Sequence, residues 1–420
     1  MNTPYVVMML AGALVCVGLV GGLFTARWGL SHLLVFLVVG MAAGVDGPLG
    51  LPFGEFSLAF GVGNVALAVV LLDGGLRTPV DTLRRAAVPA VLLATVGVLI
   101  TTALVAWVGM HWLALDWRHG ALLGAIVSST DAAAVFSQLA RSGVKLPERL
   151  SATLEVESGL NDPLAVFLTL ALIGAIGPGH AEGELAGLAA RQFGLAVLAG
   201  PACGLGMAAL LKRLPLADDH QGLTALLLTS SGVMLYGVVA FFDGSGLLAI
   251  YLYGIGVARH APRQVRPAML ALNGYTWLAE AAMFLLLGLL VTPHEVARFA
   301  LPGLVLAGAL MLVARPVAVA CCLTPLRVPW RQQLLVGWVG LRGAVPIVLA
   351  LYPVLSGVPQ AYLFFDLAFV VVVCSMLLQS TTLGPLARAL GLADEASAAS
   401  RNSRAAAHSL DTTAGGNRKG

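Results

Sequence analysis

An all-α polytopic membrane protein is the fold class this sequence predicts, and three observations predict it. Hydrophobic residues make up 59% of the 420 and charged residues only 11%, against about 25% charged in a soluble domain. So little charge cannot cover so much apolar surface in water. The apolar residues fall into runs of about 20, the length a helix needs to cross a hydrocarbon core of ~30 Å. Gly occurs 49 times, as suits helices that approach one another closely in a bilayer. Open sheet edges cannot sit in lipid, so the runs read as helices.

About thirteen spans are expected. They centre near Ala13, Val38, Ala68, Val98, Ile126, Phe167, Ala199, Leu228, Ile250, Leu285, Leu306, Val345 and Val371. The first, from Tyr5 to Phe24, lacks a basic start and runs straight on into further spans. It reads as a retained helix rather than a cleaved signal. The five cysteines (Cys16, Cys203, Cys321, Cys322 and Cys374) lie in apolar stretches without zinc-type spacing or a disulfide pattern. No cofactor, resident metal or nucleic-acid partner is expected, and no enzymatic activity.

Most of the 24 Lys and Arg fall in one alternating set of loops: Arg27, then Arg77, Arg84 and Arg85, then Arg141, Lys145 and Arg149. The set continues through Lys212 and Arg213, Arg259, Arg263 and Arg266, Arg327 and Arg331, and the tail. The other loops hold only Arg118, Arg191 and Arg298, with Asp46, Glu182 and Glu184 beside them. The basic side is then cytoplasmic, with the N-terminus outside and the C-terminus inside. That requires an odd number of spans. Residues 1–390 read as one transmembrane domain. Residues 391–420, rich in Ala, Ser, Arg and Gly, read as a disordered tail.

Polar residues at membrane depth are costly and mark candidate function. Ser128-Ser129-Thr130-Asp131 interrupts the fifth span. It predicts a helix break, with Ser129 or Thr130 capping a new half-helix near Ala132 and Asp131 meeting its positive end. The stretch from Glu155 to Pro163 leads into the apolar part of the sixth span. Ser158 and Asp162 share a helix face there, as do Glu157 and Asn161. Pro163 cannot donate to the Gly159 carbonyl, which leaves that oxygen free. Carboxylate, amide oxygen, hydroxyl and free carbonyl are hard ligands suited to a small alkali cation. Burial disfavours the charged form of a carboxyl group, so a proton and a cation can compete at such a place. Gly340-Leu341-Arg342-Gly343-Ala344-Val345-Pro346 predicts a second broken helix, in the twelfth span. Arg342 needs a buried acid, and Glu157 is the expected partner. Asp73, late in the third span, lies either near an ion route or at an interfacial helix end.

The two breaks are seven spans apart. An odd offset makes the halves, roughly 1–177 and 220–390, inverted repeats. Broken helices at corresponding places in inverted repeats point to a transporter's midplane site.

These residues resemble the monovalent cation:proton antiporter-1 family, of the NhaP type. The likeness runs to about residue 390 and rests on three motifs. Ser129–Phe136 resembles the family's fifth-helix motif, Glu157–Pro163 its sixth, and Gly340–Ala344 its twelfth. With Leu71, Asp73, Gly74, Gly75 and the stretch Leu154–Glu157, the sequence looks closest to bacterial potassium/proton antiporters. The resemblance implies a fold with two crossed discontinuous helices, and a homodimer with a dimerisation domain and a moving core. It also implies that Asp162 carries the exchanged proton or cation, while Thr130, through its carbonyl, and Ser158 complete the cation shell and Asn161 positions it. Arg342 would pair with Glu157, and Asp131 would neutralise the helix ends. An Asn-Asp pair is similar to that of the electroneutral exchangers. Potassium-type relatives often carry a cytoplasmic regulatory domain, and none is expected here.

Exchange of K⁺ or Na⁺ for H⁺ across a bacterial inner membrane is the expected activity. An organic-solute transporter of the same fold is the alternative, though such sites usually need a wider polar lining and more aromatics. An intramembrane aspartyl protease lacks its Gly-x-Gly-Asp pattern here, and no carbonyl-filter repeat suggests a channel.

Overall fold

The computed structural model describes residues 3–25, 30–78, 80–176, 184–214 and 220–392. The expected tail from 393 onward lies outside the described residues, as do Arg27 and Glu182. Everything regular among the described residues is helical. The helices run α1 (Thr3–Thr25), α2 (His32–Ala43), α3 (Phe56–Arg77), α4 (Val80–Leu92), α5 (Val98–Trp112) and α6 (Trp117–Ser128). Then come α7 (Ala132–Arg141), α8 (Glu148–Ile176), α9 (Glu184–Arg213), α10 (Gln221–Phe241), α11 (Gly246–His260) and α12 (Pro262–Leu290). The chain closes with α13 (Pro293–Arg298), α14 (Ala300–Ala309), α15 (Arg315–Leu323), α16 (Trp330–Trp338), α17 (Val345–Leu355) and α18 (Ala361–Ala389).

Nine of these helical stretches are long and apolar enough to cross a membrane among the described residues, or ten if the bent pair α6 and α7 is one span. The other expected centres, Val38, Ile250 and Val345, lie on the shorter helices α2, α11 and α17. The count of thirteen is therefore reached only by adding elements too short to cross alone. Helix starts follow local chemistry. The Ser31 hydroxyl accepts from the Leu33 amide at 3.3 Å, Asp116 from His119 at 3.1 Å, and Ser245 from Leu248 at 3.3 Å. Each satisfies an orphan donor of the first turn.

Two packed sets emerge. One holds α1, α2, α3, α9, α10, α11 and α12; the other holds α4 to α8 and α14 to α18. In the first set glycines allow backbones to touch. A Cβ on Gly288 would stand only 3.0 Å from the Gly40 Cα and would also collide with the Leu37 carbonyl. This is how small residues drive helix pairing in lipid. The second set carries a pair of π-helical turns, Leu93–Gly97 between α4 and α5 and Leu310–Ala314 between α14 and α15. Each packs against the span that holds the other. They fall in the fourth and eleventh expected spans, again seven apart, as inverted repeats require.

Candidate functional site

The chain breaks where the sequence predicts. Residues Ser129–Asp131 separate α6 from α7, which diverge by 41°. Residues Val339–Ala344 separate α16 from α17. The two breaks cross. The Asp131 amide donates to the Leu341 carbonyl at 2.8 Å. A Cβ on Gly343 would run into the Asp131 carboxylate, so only glycine lets the breaks touch.

Crossing half-helices leaves unpaired carbonyls at one end and unpaired amides at the other. Asp131 itself caps α7, its Oδ1 accepting from the Ala134 amide at 3.0 Å. The expected cap, Ser129 or Thr130, is displaced by one or two residues because the extended break runs through Asp131. The Arg342 guanidinium donates to the Ser128 and Ser129 carbonyls at the end of α6. An anion thus meets a positive helix end and a cation a negative one.

The expected ion pair between Arg342 and Glu157 is not formed. Glu157 pairs with Arg315 instead, at 2.5 and 3.0 Å through both guanidinium NH groups. All three groups are buried: Glu157 and Arg342 at 1% exposure and Arg315 at 4%. Arg342 is taken up instead by the two buried carbonyls at the end of α6, which the helix itself leaves without donors. Arg315 follows the π turn Leu310–Ala314 directly. α18 braces the second break: the Arg342 amide donates to Ser375 at 2.8 Å, Ser375 to Gln379 at 2.5 Å, and Gln379 to the Trp338 carbonyl at 2.8 Å.

α8 runs through Pro163 without a break and brings Ser158, Asn161 and Asp162 up to the fifth-span break. Ser158 donates to the Thr130 carbonyl at 2.7 Å and accepts from the Ala132 amide at 3.1 Å. Asn161 donates to the Thr130 hydroxyl at 2.6 Å, and its own Oδ1 is buried without a hydrogen-bond partner. Ser129 donates to Asp162 Oδ1. Asp162 is 4% exposed yet lines a cavity of about 360 Å³ together with Ser158, Asp131 and Ala132. The sequence brought Thr130, Asp131, Glu157, Ser158, Asn161, Asp162 and Arg342 forward, and all seven converge here. Ser129 escaped as a partner of Asp162, although it stood beside the expected break. Arg315 escaped too, although an Arg in an apolar run had to find an acid.

Asp73 lines the same cavity from the last turn and a half of α3, its carboxylate held by Arg77 Nε at 2.8 Å. Arg77 and Asn273, which hydrogen-bond to each other, also line it, as do Leu67 of α3 and Val345 of α17. Elsewhere along the contact of α3 with α17, Gly63 faces Val348 and Phe60 meets Tyr352 edge-on at 4.7 Å.

Comparison with known proteins agrees with this geometry. The family model described as sodium/hydrogen exchanger, transmembrane, matches residues 10–389. The chain is 41% identical over 385 residues to the K(+)/H(+) antiporter NhaP of Alkalimonas amylolytica, across 91% of this chain and 67% of that one. It is 46% identical over 369 residues to the K(+)/H(+) antiporter NhaP2 of Shewanella sp. strain MR-4, across 87% and 63%. It is 29% identical over 349 residues to the Na(+)/H(+) antiporter NhaP of Pseudomonas aeruginosa, across 77% and 79%. The chain thus spans about two thirds of the length of these potassium-type relatives. In fold it is similar to the sodium proton antiporter MjNhaP1 from Methanocaldococcus jannaschii, with a TM-score of 0.78 at 21% identity over 93% of this chain and 99% of that one.

Proposed function

The chain belongs to the sodium/hydrogen exchanger family, and from that membership we propose that it exchanges a monovalent cation for a proton at Asp162. The observation that carries the reading is one buried carboxyl group at the crossing of two broken helices, facing a cavity and ringed by oxygen atoms. Rotation of the Ser158 hydroxyl frees the Thr130 carbonyl for a cation and leaves Ser158 Oγ one lone pair beside it, the other being held by the Ala132 amide. The Asn161 carbonyl oxygen is already without a donor. Asp162 with a proton, or Asp162 with a cation, is then neutral, and the two forms exclude each other.

Potassium is the cation we favour, since the relatives of highest identity above bear that ion in their names. We further propose a homodimer in a bacterial inner membrane, with the basic loops and the C-terminus on the cytoplasmic side and the N-terminus outside. The residues 391–420 we take as a cytoplasmic tail. Asp131, Arg342 and the Glu157–Arg315 pair fix the charge around the site, and Asp73 stands on the ion's way in.

The test is proton movement in vesicles on addition of K⁺, Na⁺, Li⁺ or choline. The wild type should respond to K⁺ and not to choline. Asp162→Asn should fold and give no cation-driven proton flux, because an amide cannot alternate between charge states. Near wild-type flux in that variant would remove Asp162 from the role.

A further inference from the structure

The cavity wall carries a second buried titratable group. His32, at the start of α2, is 5% exposed and lines the cavity. Its ring stacks on Trp277 of α12, with centroids 4.3 Å apart and planes 17° apart. Nδ1 lies 2.6 Å from an Arg141 guanidinium nitrogen, at the C-terminal end of α7. Nε2 lies 3.6 Å from a Glu280 carboxylate oxygen on α12. Arginine only donates, so Nδ1 is the acceptor and the ring proton sits on Nε2, toward Glu280. Arg141 also holds the Leu30 carbonyl at 3.2 Å.

Of the charged residues that line the same cavity as the imidazole, α3 brings Asp73 and Arg77 and α8 brings Glu155 and Asp162. α12 supplies Glu280, and α7 supplies Arg141. Asp131 shares the cavity from the other end of α7. α1 meets the Cβ and Cα of His32 with Gly22, which bears no charge. A second proton can enter only at Nδ1, and there it displaces Arg141, because two donors cannot face each other. The resulting imidazolium sits against Glu280 and cancels its charge.

We propose that His32 is a proton-operated latch between the α2–α12 scaffold and the half-helix α7 that carries the site. Neutral His32 holds Arg141 and leaves Glu280 charged on the cavity wall, where it draws cations in. Protonated His32 lets Arg141 go and silences Glu280. An imidazole changes charge in the physiological range, so acid on the cavity side weakens cation uptake beyond direct competition at Asp162. This rests on the reading of exchange at Asp162. His32 is a positioning residue, not an ion ligand.

The experiment measures KM for K⁺ in vesicles from about pH 6 to pH 8.5, spanning the imidazole range. In His32→Gln the amide oxygen still accepts from Arg141 and the amide NH₂ faces Glu280, but no proton can be gained. The variant should match wild type at alkaline pH and lose about three- to tenfold of the acid-side rise in KM, the size expected for one nearby charge. Glu280→Gln should raise KM at alkaline pH, and adding His32→Gln to it should change nothing more. Arg141→Ala should move the acid-side rise to higher pH, since the neutral ring loses its partner. Superimposable KM profiles for wild type and His32→Gln would overturn the latch. A second readout needs no transport: the pH dependence of tryptophan emission in detergent, without cation. The titration should be present in wild type and missing in both His32→Gln and Trp277→Phe. Its absence in wild type would also overturn the latch, whereas absence of exchange in wild-type vesicles would tell against the reading of Asp162 alone.

Discussion

At the scale of single residues, the buried charges decide what each side chain near Asp162 does. Two arginines and two fixed acids, Arg315, Arg342, Glu157 and Asp131, balance in the core, so the charge state of Asp162 sets the sum. Removing one partner of a buried pair costs about 3–5 kcal/mol. Arg315→Ala should therefore lower the melting temperature in detergent sharply, because it leaves Glu157 uncompensated. The double variant Arg315→Ala with Glu157→Ala should recover part of that loss, giving a coupling of roughly 1–3 kcal/mol. Additive effects across the cycle would show the pair to be incidental. The sequence carried the identity of the charged residues but not this pairing. Glu157 and Arg315 are 158 positions apart, and nothing local says which of two buried arginines turns toward the acid. The π turn directly ahead of Arg315 is equally hidden, since its extra residue leaves no signature in hydropathy.

At the scale of elements, the breaks were legible because polar residues and glycines interrupt apolar runs. Ser128–Asp131 and Gly340–Pro346 stand out against their neighbours, and both became real interruptions. The cap on α7 was misplaced by a residue or two, since Ser129, Thr130 and Asp131 are all good caps and only the backbone path chooses among them. That the two breaks cross was expected from the family resemblance, but no local pattern shows how they come into contact. Their contact depends on Gly343, whose missing Cβ leaves room for the Asp131 carboxylate. Gly343→Ala should force the breaks apart, with a loss of about 1–3 kcal/mol as in other overpacked cores and a larger loss of exchange. Gly340→Ala is the control: a Cβ there meets the flexible Arg315 side chain at 3.1 Å and should be milder. Equal effects of the two on K⁺-driven proton flux would argue against a special role for the crossing.

At the scale of the whole molecule, hydropathy gave the helical class and inversion gave the two-fold plan. The shorter helices α2, α11 and α17 were harder to size, because each falls below the length that crosses a bilayer alone. Charge accounting over the whole core predicts electroneutral exchange. With exchange at Asp162 as proposed, one site alternates between a proton and a cation, while Glu157 and Arg315 stay paired and Asp131 and Arg342 stay fixed at helix ends. Imposed membrane potentials should leave the K⁺-driven proton flux unchanged when the exchange step limits. A steep response to voltage would mean that a second charge moves.

The aromatic contact between α3 and α17 bears on time rather than place. Should α3 move against α17 during exchange, Phe60 would have to leave Tyr352 and Gly63 to slide from Val348. An edge-to-face ring pair is worth about 0.5–1.5 kcal/mol beyond its buried area, which is roughly a two- to tenfold factor in rate. A contact of that size would then set a tempo, and tightening it would slow the carrier.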